Sequence, residues 1–173
     1  MRSQAIILKT IPIKEHDQLI VCYTSDSGKQ LYNAKSSLLR HSKQGPHLQV
    51  LNHIDFSLVK GNGHPIITSA YAIDTFTKIK SSLNALAISY FFLECFDKLV
   101  FDNEPDEKLW NFLLNALNRF NILTDDNKTD WRKILKEEYE LLMNTMGYTG
   151  DTQVQELHHT QFASIHFIDS VLQ

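Results

Sequence analysis

The chain has 173 residues, of which 43% are hydrophobic and 21% are charged. This composition indicates a folded globular protein rather than a disordered one. No apolar run reaches the roughly 18 residues that a membrane-spanning helix needs. Its two cysteines, Cys22 and Cys95, are far apart, which argues against a cysteine zinc module and a disulfide scaffold and favours buried thiols. Lys9 and Lys14 interrupt the first apolar stretch too early for a secretory signal, so we expect a cytoplasmic protein.

The formal net charge of −3 conceals a difference between two parts of the chain. Residues 1–69 carry eight basic and four acidic side chains, a net charge of +4. Residues 70–173 carry nine basic and sixteen acidic side chains, a net charge of −7. Because Lys and Arg release condensed counterions from phosphates, this split indicates that the first part contacts a polyanion.

The first part of the chain predicts five strands. Its apolar runs are rich in β-branched residues and are separated by turn sequences at 25–28 and 61–63. The predicted strands are 5–11, 18–24, 29–35, 48–60 and 65–70. Five short antiparallel strands are too few for a sandwich, and a closed barrel removes their exposed edges. We therefore predict a five-stranded OB-fold over residues 1–72, with an SH3-like barrel as the alternative.

From Asp74 onward the apolar residues recur with the 3.6-residue period of helices. Ser82 is suited to cap a first helix, Pro105 to begin a second, and Gly147 to end a third. Shorter helices are predicted over 153–159 and 162–172. The fold class is therefore α+β, an N-terminal OB-fold barrel followed by a helical bundle over residues 73–173. The apolar stripes of these helices are interpreted as core, with a groove for a partner peptide as the alternative.

A basic loop follows the third predicted strand. It contains Lys35, Arg40 and Lys43, and it ends at Gly45-Pro46. A barrel that projects such a loop can bind phosphates, although a solvated loop of chance composition is the alternative. OB barrels also stack bases on aromatic side chains. The candidate stacking platforms are Tyr23, Tyr32 and Phe56, for which a role in the barrel core is the alternative.

The chain offers no catalytic motif. Glu15-His16-Asp17 groups acid–base and metal-binding side chains, but adjacent residues point in different directions, which favours a polar turn. There is no G-x-S-x-G, H-E-x-x-H or phosphate-loop sequence. We therefore predict a non-enzymatic protein without metal or cofactor. A hydrolase or nuclease that uses Glu15, His16 and Asp17 is a further hypothesis.

A series of short matches in a fixed order resembles bacterial RecO recombination-mediator proteins. The matches are Ile7-Leu8-Lys9, Glu15-His16-Asp17, Thr24, Gly28-Lys29, Ala34-Lys35, Phe56-Ser57-Leu58-Val59, Leu141-Leu142 and Met146-Gly147-Tyr148. Ser36 stands where that family usually has a glycine. The chain lacks the four-cysteine zinc module of many members and ends earlier, so it resembles a short, zinc-less member.

This resemblance implies a recombination mediator with an OB-fold and a helical domain. Such a protein binds single-stranded DNA and promotes annealing of complementary strands. It loads recombinase together with a RecR-like protein and single-strand-binding protein. The acidic tail of single-strand-binding protein contacts the helical part of the family's members. A nucleoid-associated cytoplasmic protein without membrane or small-molecule substrate is expected. The resemblance implies phosphate contacts at Lys35, Arg40 and Lys43, and the charge argument adds Lys9, Lys14 and Lys29. The alternative is a protein–protein adaptor of the same architecture that does not bind DNA.

Overall fold

The computed structural model describes residues 2–124, 126, 128–148 and 162–172. Within these residues the strands come first in the chain and the helices follow. The strands are β1 (Arg2–Pro12), β2 (Gln18–Thr24), β3 (Gly28–Ala34), β4 (His53–Val59) and β5 (Ile66–Asp74). The helices are α1 (Thr77–Ser81), α2 (Leu83–Leu99), α3 (Glu107–Leu123), α4 (Trp131–Thr145) and α5 (Ala163–Val171). The helix predicted over 153–159 lies outside the described residues.

The five strands close a barrel in the order β1-β2-β3-β5-β4. β4 pairs with both β5 and β1 in antiparallel fashion, and β2 forms antiparallel pairs with β1 and β3. β3 and β5 are parallel and meet at a single pair, Asn33 with Ile66. This strand order is that of an OB-type barrel. The prediction of an α+β chain with an N-terminal five-stranded OB-type barrel followed by helices is confirmed.

Apolar side chains from all five strands fill the barrel interior, together with Leu48 from the connection between β3 and β4. The alternation along the strands produces this core, because every second side chain points inward. The rings of Tyr32 and Phe56 lie inside it, with centroids 5.3 Å apart. Cys22 belongs to the same core, and burial raises the pKa of its thiol, which therefore stays protonated at neutral pH.

The fourth strand begins at His53, not at residue 48 as predicted. Leu51 has a φ of 76°, a left-handed conformation that interrupts an extended strand. The side-chain amide of Asn52 donates to the carbonyl oxygens of Pro46 and His47 at 3.3 and 2.8 Å, which stabilises the preceding turns. Residues 48–52 therefore do not form part of a strand. Their apolar side chains include Leu48, which is buried in the barrel core.

The chain divides into two compact units. The first comprises the barrel residues through Thr75 together with Phe96–Trp110. The second comprises Phe76–Cys95 and the described residues from Asn111 onward. The division into an OB-fold over 1–72 and a helical domain over 73–173 stays a prediction.

Within the first unit, the segment from Phe96 to Trp110 packs on the outside of the barrel. The ring of Phe96 meets the edge of Tyr23, with centroids 5.2 Å apart. The amide of Asn103 donates to the Lys29 carbonyl at 3.0 Å. Gly28 has a φ of 68° and faces the backbone of Glu104 so closely that a side chain would not fit. These contacts cover the β2–β3 turn with residues that come some 70 positions later in the chain.

In the second unit, local capping and buried aromatic contacts define the helices. The Asp130 carboxylate accepts a hydrogen bond from the Lys133 amide at 3.1 Å, which fixes the start of α4. Phe92 of α2 contacts Phe120 of α3, with centroids 5.6 Å apart. Arg119 donates to the buried carboxylate of Glu138 at 2.5 Å, joining α3 to α4. Among the described helices, none is both long and apolar enough to span a membrane.

Candidate nucleic-acid interface

Three connections meet at one end of the barrel. The Leu38 amide donates to the His16 carbonyl at 3.0 Å, which joins the β3–β4 connection to the β1–β2 connection. The Asn33 amide donates to the Pro65 carbonyl at 2.8 Å, which brings in the β4–β5 connection. We call this region the loop end and define it as residues 13–17, 35–45 and 60–65. Oligonucleotide-binding barrels commonly use the β1–β2 and β4–β5 connections in this way.

The first part of the β3–β4 connection is folded on itself. The Ser42 amide donates to the Leu39 carbonyl at 2.9 Å, and the Gly45 amide donates to the Ser42 hydroxyl oxygen at 3.1 Å. A side chain at Gly45 would overlap the carbonyl of Ser37, so this glycine permits the close return of the chain. The loop therefore presents its basic side chains from a defined backbone.

The loop end carries four of the six predicted DNA-binding residues: Lys14, Lys35, Arg40 and Lys43. All four are exposed, and none is paired with a carboxylate among the residues that the structure describes. Lys14 comes from a different connection than the other three, so two connections contribute positive charge. An unpaired, solvated cation can exchange its counterion for a phosphate without first breaking an internal ion pair.

The other two predicted residues, Lys9 and Lys29, lie beside acidic residues of the first unit. The Lys9 ammonium lies 3.7 Å from the Asp97 carboxylate. The Lys29 ammonium donates to the Asp97 carbonyl at 2.7 Å and lies 3.0 Å from the Asp102 carboxylate. The Lys29 side chain is only 13% exposed. The structure therefore does not group these two lysines with the loop end, and their role in DNA binding stays a prediction.

Sequence reasoning did not assign Lys60 and His64 to the site. Both are exposed in the β4–β5 connection, which the Pro65 carbonyl fastens to the end of β3. The predicted OB-type topology could have indicated these two residues, because it brings the β4–β5 connection beside the β1–β2 connection. Lys60 adds a fifth cation to the loop end.

The three candidate stacking platforms are all buried. Tyr23, Tyr32 and Phe56 are 0%, 4% and 1% exposed. The barrel-core interpretation is therefore confirmed for Tyr32 and Phe56, whereas Tyr23 is buried on the outside of the barrel against Phe96, and none of the three rings is available to stack on bases. His53 is also buried, and burial lowers the pKa of its imidazole, so it is neutral at pH 7 and adds no positive charge to the barrel.

Glu15-His16-Asp17 forms the turn between β1 and β2. The Asp17 carboxylate accepts a hydrogen bond from the Ser36 amide at 2.8 Å, and the His16 imidazole lies 3.8 Å from the Glu15 carboxylate. No group of three potential metal ligands occurs in the described ranges. The three side chains therefore do not converge on a common point, and the geometry is that of a polar turn.

A second surface feature is an apolar groove of about 290 Å³ in the second unit. Its walls come from α2, α4 and the region of α5, and its rim carries Arg132, Lys136 and Asp169. The apolar wall residues are Phe91, Leu135, Tyr139, Phe162, Ile165 and Ile168. The Glu94 carboxylate of α2 accepts hydrogen bonds from the Ala163 and Ser164 amides, each at 2.8 Å, which fixes the first turn of α5 along the groove.

Comparison with known proteins identifies the barrel. Residues 1–76 match the family model described as recombination protein O N terminal. Residues 1–76 are therefore similar to the N-terminal part of RecO proteins, which supports membership of the RecO family. The short matches between Ile7 and Lys35 lie within this matched region.

Curated RecO proteins are similar over most of the chain. The DNA repair protein RecO of Roseiflexus sp. is 26% identical over 120 residues, 69% of this chain and 42% of that protein. The DNA repair protein RecO of Clostridium kluyveri is 28% identical over 148 residues, 85% of this chain and 56% of that protein. The corresponding protein of Acetivibrio thermocellus is 25% identical over 150 residues, 86% and 57% of the two chains. The chain thus spans about half the length of the curated relatives it matches.

Proposed function

We propose that this RecO-family chain is a non-enzymatic mediator of recombinational DNA repair that binds single-stranded DNA at the loop end of its barrel. Four exposed, unpaired cations on two hydrogen-bonded connections are the observation that supports DNA binding. The repair role is supported by the relatives, which are DNA repair proteins by name. The proposal places the protein in the cytoplasm with the nucleoid.

The chemistry of the loop end favours the nucleic-acid backbone over the bases as the ligand. Lys14, Lys35, Arg40 and Lys43 can contact phosphates of any sequence, whereas the buried aromatic residues cannot stack on bases. Binding through phosphates reduces the repulsion between two strands. Annealing of complementary strands would follow from this reduction, without base-specific contacts.

The proposed DNA binding is tested by titrating a labelled single-stranded oligonucleotide at several salt concentrations. If the loop end engages about four to six phosphates, log K should fall with log salt at a slope of about −3 to −4. Duplex DNA of equal length serves as the comparison in the same titration. No measurable binding of the single strand, or a slope near zero, would contradict the proposal.

The proposed partners are single-strand-binding protein and a RecR-like protein, with which the chain would load recombinase onto DNA. The groove in the second unit is our candidate site for the acidic tail of single-strand-binding protein. Its apolar walls can bury apolar side chains of a peptide, and Arg132 and Lys136 on the rim carry charge opposite to that of the tail. Asp169, on the same rim, would disfavour an acidic residue beside it.

Charge reversal in the groove tests this docking site. The double variant Arg132→Glu/Lys136→Glu should weaken binding of a fluorescent acidic peptide with apolar C-terminal residues at least about tenfold, because attraction becomes repulsion. Fluorescence anisotropy measures the affinity. Lys128→Glu/Lys133→Glu makes the same change of four charge units and is the matched control, since both lysines are exposed in the second unit and neither lines the groove. Equal losses in both variants would argue against docking in the groove.

The second candidate function is a protein–protein adaptor that does not bind DNA. It is favoured by the pairing of Lys9 and Lys29 with Asp97 and Asp102, which balances part of the positive charge of the barrel. Capture of a RecR-like protein by a chain that shifts no oligonucleotide at low salt would select this function.

A further inference from the structure

Asp17 joins the two connections that supply the unpaired cations of the loop end. Its carboxylate accepts the Ser36 amide hydrogen bond at 2.8 Å, immediately after Lys35. Its carbonyl accepts hydrogen bonds from the amides of Ile13 and Lys14 at 3.1 and 3.4 Å. One residue therefore contacts the backbone beside Lys35 and the backbone of Lys14 itself.

The hydrogen bond from the Ser36 amide is made at a residue with an unfavourable backbone conformation. Ser36 has a φ of 53°, in the left-handed region that is costly for a residue with a Cβ atom. A charge-assisted hydrogen bond from its amide to a carboxylate is stronger than a neutral one and can hold this conformation. Because β3 ends at Ala34, the turn at Ser36 sets the direction in which the basic loop leaves the barrel.

We infer that Asp17 is a positioning residue for polyanion binding, which fixes Lys14 and Lys35 in one array that a nucleotide backbone can contact. The inference rests on the proposed binding of single-stranded DNA. The expected effect is opposite to that of charge alone, because Asp17 is an anion beside a site that would bind an anion. Simple electrostatics predicts that removing its charge strengthens binding, whereas positioning predicts that removing its carboxylate hydrogen bond to the Ser36 amide weakens binding.

Two substitutions of the full chain separate these effects, with a fluorescein-labelled oligothymidylate of about 20 nucleotides as the probe. Asp17→Ala removes the charge and the carboxylate that accepts from the Ser36 amide, while the main-chain carbonyl that accepts from Ile13 and Lys14 remains, and we expect affinity to fall about three- to tenfold. The salt slope should become shallower by about 0.7 to 1.4, which corresponds to one or two lost phosphate contacts. Asp17→Asn removes the charge but keeps an acceptor oxygen, and it should bind at least as tightly as the wild-type chain.

Two further variants complete the test. Asp26→Ala makes the same charge change in the exposed β2–β3 turn and should not weaken binding. Ser36→Gly removes the cost of the left-handed conformation, so the double variant Asp17→Ala/Ser36→Gly should recover part of the lost affinity. If Asp17→Ala alone is too unstable to purify, the double variant is compared with Ser36→Gly alone and should bind more weakly.

The inference is overturned if Asp17→Ala, or the double variant against its Ser36→Gly reference, binds the probe as tightly as its parent or more tightly. It is also overturned if Asp17→Asn loses as much affinity as Asp17→Ala. A wild-type chain that does not bind the probe at all would instead refute the proposed function.

Discussion

Replacing Lys35, Arg40 and Lys43 together with alanine is expected to weaken binding of single-stranded DNA on the order of 100-fold, at roughly 1 kcal/mol for each lost contact. All three side chains are exposed on the folded loop after β3 and have no carboxylate partner among the described residues. The log–log salt slope should become shallower by about 2, since each single-strand phosphate contact contributes about 0.7. The loss should be the same for all base sequences.

The matched control is the triple variant Lys128→Ala/Lys133→Ala/Lys136→Ala. It lowers the net charge by the same three units, but its side chains are exposed in and beside α4 of the second unit. Anisotropy titrations of both triple variants at two salt concentrations separate a local contact from an effect of overall charge. Equal losses in the two variants would show that the loop end has no special role.

Replacing Gly28 with alanine is expected to lower the free energy of unfolding by roughly 2 to 5 kcal/mol. The φ of 68° is unfavourable for any residue with a Cβ atom. The added Cβ would also overlap the Glu104 carbonyl and lie 2.9 Å from the Pro105 nitrogen, and backbone atoms cannot rotate away. Urea unfolding followed by tryptophan fluorescence measures the change.

Gly147→Ala is the control for the Gly28 substitution. Gly147 also has a positive φ, 84°, but a Cβ there would meet nothing within 4 Å. Gly147→Ala should therefore lower the free energy of unfolding only by the cost of the left-handed backbone conformation, on the order of 1 kcal/mol. If the two substitutions cost the same, the close approach of Glu104 to the β2–β3 turn does not contribute to stability.

The local parts of the barrel could be predicted from the sequence. The β2–β3 hairpin follows from the turn sequence ending at Gly28, and the observed φ of 68° is the conformation that glycine allows. The alternation at Ile54 and Phe56 correctly indicated inward-facing residues of β4. The similarity between Ile7 and Lys35 indicated the family whose N-terminal model matches residues 1–76, because short ordered motifs are also local.

Features that depend on distant residues could not be predicted. Lys29 looked like a free cation, but Asp97 and Asp102, about 70 positions later, pair with it. The short helix α1 was missed because it follows Phe76, a buried residue with a φ of 47° that no capping pattern indicates. The position of Lys60 at the loop end depends on the contact between Asn33 and Pro65, which exists only once the barrel has closed.

The single pair between Asn33 and Ile66 has a consequence for the stability of the barrel. The other four junctions between its strands are each joined by several residue pairs, so this seam opens at the lowest cost in hydrogen bonds. The seam also lies where the loops after β3 and β4 meet. A nucleotide chain bound by both loops would connect the two sides of this seam. DNA binding would then stabilise the closed barrel, and the closed barrel would favour DNA binding.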